Sequence, residues 1–438
     1  MNACLNTVQG RSAKIKPLAK AVAIATTLSL SAMTQASVLE EITVTAQKRE
    51  QSLQDVGIAV SAFTGDQMRA LGVAESGDIA SFTPGVHLGG ALAGQNAQFT
   101  IRGVTQNDFN DIVESPNAVY VDEGYIANSN AQTFGLLDIE RVEILKGPQG
   151  TLFGRNATGG LVHYITRKPN FDEMDGYVDV EYGHYDGSSG AENADTLKVE
   201  AAIGGPITEN VAARLAFMNN KRDPYLTNVY DATSPTAVGG APAADAGADM
   251  GDDDTTVARG SLAINPNDEI EINLSLSWAE SELATGPYQA VATTPIIDPG
   301  TGEHINTIFT PGGVDAFGYK DPDGDDFQTS GDFAFGDHGE TENLAFNANV
   351  KWELSDTVTF HSVTFYQDYD KLLFIDVDSG PVNLGANYAA AETESFTQEF
   401  RFSGETDDAR WTAGLYYLKI DNESKNGLKF PTGSINIG

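Results

Sequence analysis

The chain has 438 residues, of which 62 are acidic and 26 are basic, giving a formal net charge of −36 at neutral pH. Such a charge repels phosphate backbones and argues against a nucleic-acid partner. The single cysteine, Cys4, lies in a segment that we expect to be removed, which excludes a disulfide or a thiolate metal site from the mature chain.

The first 36 residues have the order of a secretory signal peptide. Four basic residues precede a weakly apolar run, Ala21–Met33, and small residues then lead to Ala36. The run is shorter than the roughly 20 apolar residues that a membrane-spanning helix needs, and it contains Ser and Thr. We therefore favour a cleaved signal peptide at residues 1–36 over an N-terminal membrane anchor. No later stretch resembles a spanning helix, so the mature chain is expected to be either periplasmic or a β-barrel.

The next segment, residues 37–50, contains the sequence EEITVTA at Glu40–Ala46. Apolar Ile42 and Val44 alternate with threonines beside a charged start. An exposed extended segment of this kind can add itself as a strand to the sheet of another protein. An ordinary first strand of the following domain fits the same residues.

Residues 51–169 combine short helix and strand patterns over the length of one domain. Within Gln51–Phe63 the run GIAVSAF predicts a strand, and Thr64 with Gln67 has the spacing of a capping box at the start of a short helix. A second short helix is predicted near Asp78–Phe82, and a strand at Phe99–Ile101. These elements predict a compact α+β domain.

This domain ends in a glycine-rich stretch, Asp138–Gly160. Its glycines lie between two β-rich segments and allow tight turns and close backbone approach. A phosphate-binding loop would need Lys and then Ser or Thr after its last glycine, whereas Arg155 and Asn156 follow Gly154. The stretch therefore argues against a nucleotide site.

From residue 170 onward, polar and apolar residues alternate along long segments. In Ile270–Trp278 and Leu344–Trp352 the apolar residues share one face, opposite Glu, Asn, Ser and Lys. Apolar residues toward lipid and polar residues toward a lumen are typical of a membrane barrel. A soluble β-sandwich also alternates, but it seldom uses strands this long. We predict about nine strands, near residues 176–183, 195–204, 210–219, 255–265, 269–280, 342–355, 357–371, 391–404 and 409–422.

Four motifs in this order resemble the TonB-dependent outer-membrane receptors, in which a plug domain fills a large β-barrel. They are EEITVTAQKRE at residues 40–50, FTIRGV at 99–104, AVYVDEGYI at 118–126 and the glycine-rich stretch. The resemblance implies an α+β plug at 51–169 and the first part of an antiparallel transmembrane β-barrel at 170–438. Because this family closes its barrel with about 22 strands, and the final GSINIG reads as a polar loop, we expect an incomplete barrel from a truncated gene product.

The resemblance also implies the site residues. The TonB energy-transducing complex is expected to bind Glu41, Ile42, Thr43, Val44, Thr45 and Ala46, the TonB box. A cluster of charges that fixes the plug in the barrel is expected at Arg102, Glu140, Arg141, Glu143 and Lys146. The ligand is expected to meet Gln95, Asn96, Asn107, Asp108, Asn110, Asn128, Asn130 and Gln132.

Two residues of the charge cluster carry specific expectations. A buried Arg102 would require a partner such as Glu140, Glu143 or a carboxylate of the barrel wall. Lys146 stands where the family has a second arginine, and lysine cannot make a bidentate fork with a carboxylate.

Catalytic and metal-binding motifs do not stand out. The chain has no GxSxG elbow and no cysteine nucleophile, and its six histidines are scattered. Acidic residues at 321–332 partly resemble a calcium loop, but Asp326 occupies the position where the sharp turn needs Gly. We favour a solvated acidic loop, which could still contact divalent cations and lipopolysaccharide. The chain is expected to be no enzyme and to hold no cofactor.

The resemblance predicts a receptor for energised uptake of a scarce nutrient across the outer membrane of a Gram-negative bacterium. A ferric siderophore, and thus iron transport, is the expected ligand and role. The alternatives are a passive binding or adhesion module and a nonfunctional receptor fragment. Expected partners are the TonB complex, outer-membrane lipids with lipopolysaccharide, and the small-molecule ligand.

Overall fold

The computed structural model describes residues 43–45, 48–49, 51–91, 96–106, 108, 110–186, 193–230, 247–283, 299–302, 327–329, 331, 339–376, 386–406, 408–430 and 433–436. The predicted signal peptide and the acidic residues of the 321–332 loop lie outside them. The chain divides into Met1–Thr43, of which only Thr43 is described, and one compact unit, Val44–Gly438. Among the described residues, no helix is long and apolar enough to cross a membrane.

The predicted plug is built on a five-stranded sheet. Two short strands come first, β1 (Thr43–Val44) and β2 (Gln51–Ser52), and they form a separate two-stranded sheet. The main sheet contains β3 (Ala59–Thr64), β6 (Asn117–Val121), β7 (Gly124–Tyr125), β8 (Ile139–Lys146) and β9 (Gly160–Thr166), in the order β3-β8-β9-β6-β7. Fully buried apolar residues of β8 and β9, such as Ile144, Val162 and Tyr164, form its core.

The remaining plug elements pack around this sheet. Helix α1 (Gly65–Ala70) begins at the predicted capping box, in which the Gln67 N–H donates to Thr64 Oγ1 at 3.2 Å and the Thr64 N–H donates to Gln67 Oε1 at 3.0 Å. The predicted second helix is a 3-10 helix, Ser76–Phe82. The others are the ladder of β4 (Val86–Ala91) with β5 (Asn96–Ile101), a 3-10 helix Ser129–Gln132, and α2 (Gly150–Phe153).

A second sheet, which we call the wall, contains all nine predicted long strands. They are β10 (Asp175–Tyr185), β11 (Ala194–Thr208), β12 (Val211–Arg222), β14 (Asp253–Asn267), β15 (Ile270–Leu283), β17 (Gly339–Ser355), β18 (Val358–Asp376), β19 (Ala386–Glu405) and β20 (Arg410–Phe430), and each pairs antiparallel with the next. A short strand β21 (Gly433–Asn436) pairs with β20, so the predicted polar loop is wrong there, because the ladder continues through these residues. β13 (Thr227–Asn228) and β16 (Gln328–Thr329) form a separate parallel pair.

The two faces of the wall differ as the alternation predicts. Apolar side chains such as Val178, Leu276 and Leu415 are exposed on the face that points away from the plug. On the opposite face, Asn347 and Asn349 donate from Nδ2 to the carbonyl oxygen of Asp122 in the plug, at 3.1 and 2.8 Å. Polar residues of the wall therefore contact the plug, and apolar ones face outward.

Rows of carboxylates cross the outward face near one end of the long strands. Directly opposed residues of an antiparallel pair share a face. The register therefore aligns five acidic side chains from β15, β17, β18, β19 and β20, namely Glu280, Glu342, Asp370, Glu392 and Glu423. An adjacent row contains Asp368, Glu394 and Asp421. Like charges therefore lie side by side across five strands.

Candidate functional site

The plug is bound to the wall by buried ion pairs, and Asp138 makes the most extensive of them. Its carboxylate accepts hydrogen bonds from Arg214 Nε at 2.5 Å and from Arg214 Nη2 at 2.9 Å, with both side chains almost fully buried. Arg259 Nη2 donates to the carbonyl oxygens of Leu137 and Asp138 at 2.6 and 3.0 Å. Because Arg214 lies on β12 and Arg259 on β14, two wall strands bind the residues that directly precede β8.

A second buried pair joins the plug loop at Asp111 to strand β18. Lys371 Nζ bonds Asp111 Oδ1, and neither side chain is more than 1% exposed. Asn130 Nδ2 donates to the same carboxylate at 2.7 Å, and the Ser424 hydroxyl of β20 lies 3.1 Å from its other oxygen. Plug and wall thus share one hydrogen-bonded network around Asp111.

A third pair involves Glu123, at the turn between β6 and β7. Its carboxylate lies 3.0 Å from Arg401 Nη1 of β19 and 3.0 Å from Lys48 Nζ. The Glu123 N–H donates to His163 Nε2 at 3.0 Å. In all three contacts the plug provides a carboxylate and the wall provides a cation, and a charge buried in this way needs a partner of opposite sign.

The predicted charge cluster is only partly assembled. Arg141 bonds Glu140, and its Nε donates to Glu143 Oε1 at 2.9 Å. Both contacts lie within the plug. A role of these three residues in fixing the plug to a barrel therefore stays a prediction.

Arg102 and Lys146 lie elsewhere, next to each other on one side of the plug. Arg102 is exposed with a φ of 52° and makes no ion pair with the described residues, so the expected pairing with Glu140 or Glu143 is wrong. Because the side chain is solvated, it needs no buried partner. Lys146 Nζ donates to the Ser61 hydroxyl at 2.9 Å, and burial together with the charge of Arg102 lowers the pKa of Lys146.

The segment expected to bind TonB is described in part. Thr43 and Val44 form β1, and the Thr45 N–H donates to both carboxylate oxygens of Glu143 at 2.9 Å. Lys48 is buried against Glu123. Glu41, Ile42 and Ala46 lie outside the described residues.

A polar cavity of about 640 Å³ lies beside this segment, between plug and wall. It is lined by Lys48, Glu123, Arg141, Glu271 and Arg401, among others, with seven basic and six acidic residues in total. Such a balanced, charged lining suits a hydrated polar solute rather than an apolar one. The described residues contain no cluster of three or more His, Cys, Asp or Glu side chains suited to a metal ion.

The predicted ligand residues fall into two groups. Asn128, Asn130 and Gln132 are buried at 1–4% exposure, and Asn128 Nδ2 donates to Thr393 of the wall at 2.6 Å. Asp108 and Asn110 are exposed in a loop whose backbone they cap. Gln95 and Asn107 lie outside the described residues, and only the backbone of Asn96, in β5, is described. Among the described members of the set, Asp108 and Asn110 are therefore the ones exposed to solvent, and ligand binding by the set stays a prediction.

The residues that join plug and wall were missed by sequence reasoning. They are Asp111, Glu123 and Asp138 of the plug and Arg214, Arg259, Lys371 and Arg401 of the wall. A usable signal was present for the wall residues, because each cation occupies a plug-facing position in an alternating strand. No local pattern indicated which plug carboxylate would meet which cation.

The plug sequence matches a known family. Residues 52–161 match the family model described as TonB-dependent Receptor Plug Domain. The chain therefore contains the plug domain of the TonB-dependent receptor family. The family consists of receptors of the Gram-negative outer membrane that interact with TonB, rather than of enzymes. The predicted fold, a plug followed by antiparallel strands, is confirmed.

Curated relatives of this chain are distant and longer. The Pesticin receptor of Yersinia pestis is 26% identical over 173 residues, covering 39% of this chain and 24% of the relative. The Vitamin B12 transporter BtuB of Vibrio vulnificus is 24% identical over 192 residues, 43% of this chain and 29% of the relative. The Ferric enterobactin receptor PirA of Pseudomonas aeruginosa is 26% identical over 190 residues, 39% of this chain and 24% of the relative.

Solved structures share the fold over most of the chain. The ferric yersiniabactin uptake receptor FyuA from Yersinia pestis gives a TM-score of 0.61 at 17% identity, covering 86% of this chain and 51% of that one. The unliganded ferric citrate transporter FecA gives a TM-score of 0.62 at 11% identity, covering 90% and 52%. The chain therefore spans about half the length of these solved relatives.

Proposed function

We propose that the chain acts in a receptor for energised uptake of a scarce nutrient across the outer membrane, with a ferric siderophore as ligand. The observation that carries the proposal is the plug held against the wall by buried ion pairs, with the N-terminal segment attached to that same plug. PirA and FyuA, named for ferric ligands, support an iron chelate as the ligand class.

The parts of the chain divide the work as follows. TonB pairs with Glu41–Ala46 by adding them as a strand to its own sheet. The ligand binds polar groups of the outer plug loops, of which Asp108 and Asn110 are exposed. The apolar outward face of the wall contacts lipid, and its charged end lies at the level of lipopolysaccharide. A pull by TonB, driven by the inner-membrane proton gradient, then remodels the plug.

Deletion of Ile42–Thr45 tests this function in cells that express the receptor at its natural length. The deletion removes the backbone groups that pair with TonB, so surface binding of the ferric chelate should remain and accumulation inside the cell should stop. Both are measured with radioactive iron, at 0 °C for binding and at 37 °C for uptake.

A pair of substitutions at one position provides the control. Thr43→Pro removes a backbone N–H and should abolish uptake, whereas Thr43→Ala keeps it and should transport normally. Uptake unchanged by the deletion contradicts the proposal. Binding without uptake in the unaltered receptor favours a passive binding module instead.

A further inference from the structure

The exposed plug loop at residues 106–113 has a shape that its own side chains set. Gln106 Oε1 accepts from the Asp108 N–H at 3.0 Å, and Asp108 Oδ1 accepts from the Asn110 N–H at 3.0 Å. Asn110 Oδ1 accepts from the Ile112 N–H at 3.2 Å. Side chains that bond the backbone two residues further on form local turns of this kind. The loop is therefore a preformed turn, and its position depends on where it is attached.

The loop is attached to the wall at Asp111. Lys371 Nζ of β18 bonds Asp111 Oδ1, and the Ser424 hydroxyl of β20 donates to Oδ2 at 3.1 Å. Asn422 Nδ2, also on β20, donates to the Asp111 carbonyl oxygen at 3.1 Å. The Asp111 carboxylate is fully buried, and a buried carboxylate is stable only beside a partner of opposite charge. The attachment therefore depends on the ammonium group of Lys371.

The second plug segment expected to meet a ligand is attached in the same place. Asn130, in the 3-10 helix Ser129–Gln132, donates from Nδ2 to Asp111 Oδ1 at 2.7 Å. Asn128, the residue before that helix, donates from Nδ2 to the Thr393 hydroxyl of β19 at 2.6 Å. Both amide side chains are buried, so these bonds lie inside the protein. One buried network thus connects both plug segments to β18, β19 and β20.

Asp108 and Asn110 lie beside this attachment. Both are exposed, and Asn110 directly precedes Asp111 in the chain. Side chains that bind a ligand must be held within about 0.5 Å of their productive position by the contacts behind them. Because the loop is one preformed turn, movement of Asp111 carries the two exposed residues with it. Loss of the Lys371 ammonium group therefore displaces the exposed surface without changing its chemistry.

We propose that Lys371 is a positioning residue for ligand binding, which fixes the 106–113 loop to the wall through Asp111 and so sets where Asp108 and Asn110 stand. The Lys371 side chain is 1% exposed, so it acts through Asp111 rather than by touching the ligand. The inference rests on the proposed function for the existence of a ligand. The fixing of the loop is a property of this chain alone.

The first test measures the motion of the loop with a nitroxide spin label at Ile112→Cys, a 62% exposed position, in the full chain with Cys4 replaced by Ser. Lys371→Met should shift the label from slow to fast motion in its electron paramagnetic resonance spectrum, because the buried carboxylate loses its counter-charge. Lys371→Met combined with Asp111→Asn should restore slow motion, because no buried charge is then left unpaired. Ser424→Ala removes one hydrogen bond to Asp111 and should give a smaller shift, which answers the case in which Lys371→Met fails to fold.

Arg401→Met is the matched control for the label. It removes another buried wall cation, whose ion pairs are with Glu123 and Glu399 instead of Asp111. The label at residue 112 should therefore move as slowly as in the unaltered chain. Equal motion of the label in Lys371→Met and Arg401→Met overturns the inference.

The second test measures ligand affinity in cells that express the receptor at its natural length. Binding at 0 °C is measured with radioactive iron on three probes, ferric enterobactin, ferrioxamine B and ferric citrate, which carry catecholate, hydroxamate and carboxylate groups. The affinity for a probe that binds should fall about tenfold in Lys371→Met, the effect of losing about one well-placed hydrogen bond, and should recover in the double variant. Lys419→Met, which removes an exposed lysine on the outward face of β20, should bind normally.

The two tests separate the inference from the proposed function. A released loop with unchanged affinity for the probe overturns the positioning role of Lys371. If none of the probes binds to the unaltered receptor, the proposed function fails and the positioning role fails with it, whereas the label still reports whether Lys371 fixes the loop.

Discussion

His163 illustrates how a single side chain is committed to one protonation state by its surroundings. The ring is 3% exposed, and Nε2 accepts from the Glu123 N–H, so a proton cannot occupy that nitrogen without breaking the bond. Burial, together with the charges of Lys48 and Arg141 and despite that of Glu123, lowers the pKa of His163 to about 3. The folded state therefore contains neutral His163, which accepts the hydrogen bond that positions Glu123.

This predicts a pH dependence of stability. Below the ordinary histidine pKa of 6.5 the unfolded chain takes up a proton that the folded chain refuses until about pH 3, so stability falls as the pH is lowered through this range. The loss is up to about 1.4 kcal/mol per pH unit. His163→Gln keeps a hydrogen-bond acceptor but has no titrating ring, so it should remove this part of the pH dependence. Urea unfolding in detergent at pH 4.5 to 7.5 measures the free energy of unfolding of both chains.

The exposed His87 provides the comparison for that experiment. His87→Gln should keep the slope of the unaltered chain. Identical slopes for His163→Gln and the unaltered chain would show that His163 takes up its proton equally in both states.

At this scale, sequence reasoning succeeded where the interaction is local and failed where it is not. The capping box of Thr64 and Gln67 forms as predicted because both residues belong to one helical turn. Arg102 was expected to be buried and is exposed, and Asp138, which binds two wall arginines, was overlooked. The exposure of Arg102 and the pairing of Asp138 both depend on how the plug is oriented against the wall. The identity of a single residue does not predict this orientation.

The long strands were predictable because one physical rule governs every residue in them. Alternation between the outward face and the plug-facing side persists through β15 and β17, and the predicted bounds differ from the observed ones by only a few residues at most ends. β18 and β20 extend further, to Asp376 and Phe430. The added residues of β18, Leu372–Ile375, are apolar on both faces and those of β20, Glu423–Asn426, are polar on both, so hydrogen bonding continues where the alternation stops.

The carboxylate rows on the outward face give a prediction for the wall strands. Directly opposed like charges destabilise a sheet, and Asp370 lies between Glu342 and Glu392. Asp370→Asn should therefore raise the melting temperature at low salt. The screening length falls from about 30 Å at 0.01 M salt to about 3 Å at 1 M, so the gain should vanish in 1 M NaCl.

Differential scanning calorimetry of the purified chain in a nonionic detergent at both salt concentrations measures this effect. Tyr366→Phe, on the same outward face of β18, leaves the charge unchanged and should show no salt-dependent shift. A gain for Asp370→Asn that persists in 1 M NaCl would point to packing rather than charge.

For the whole molecule, the buried ion pairs decide whether plug and wall unfold together. Asp138→Ala leaves Arg259 without its carboxylate and Arg214 with only the partly exposed Asp175 as an ionic partner, and breaking a buried pair in this way costs about 3–5 kcal/mol. Asp66, whose side chain is 80% exposed beside Arg69, is the matched control, with a cost of about 0–1 kcal/mol on replacement by Ala. Urea unfolding measures both values, and equal costs would contradict the role of Asp138.

The order of plug and wall along the chain could be predicted from the sequence, but the contacts between them could not. Motifs in the right order predicted a plug followed by long antiparallel strands; the family match confirms the plug, and the wall contains the strands. The signs of the charges at the contact between plug and wall were missed. The plug was expected to provide cations, whereas it provides carboxylates that bind cations of the wall. Pairs such as Asp138 with Arg214 are 76 residues apart, and only the assembled fold brings them together.

The strand order of the plug sheet has a mechanical consequence. β3, the strand nearest the N-terminal segment, lies at the sheet edge and pairs with β8 alone. A pull transmitted from Thr45 therefore acts on the β3–β8 ladder first. It breaks the hydrogen bonds between these two strands one pair at a time, instead of shearing many of them at once. Such peeling needs little force, and it can remove β3 while β8, β9 and β6, with their fully buried Ile144 and Val162, stay folded.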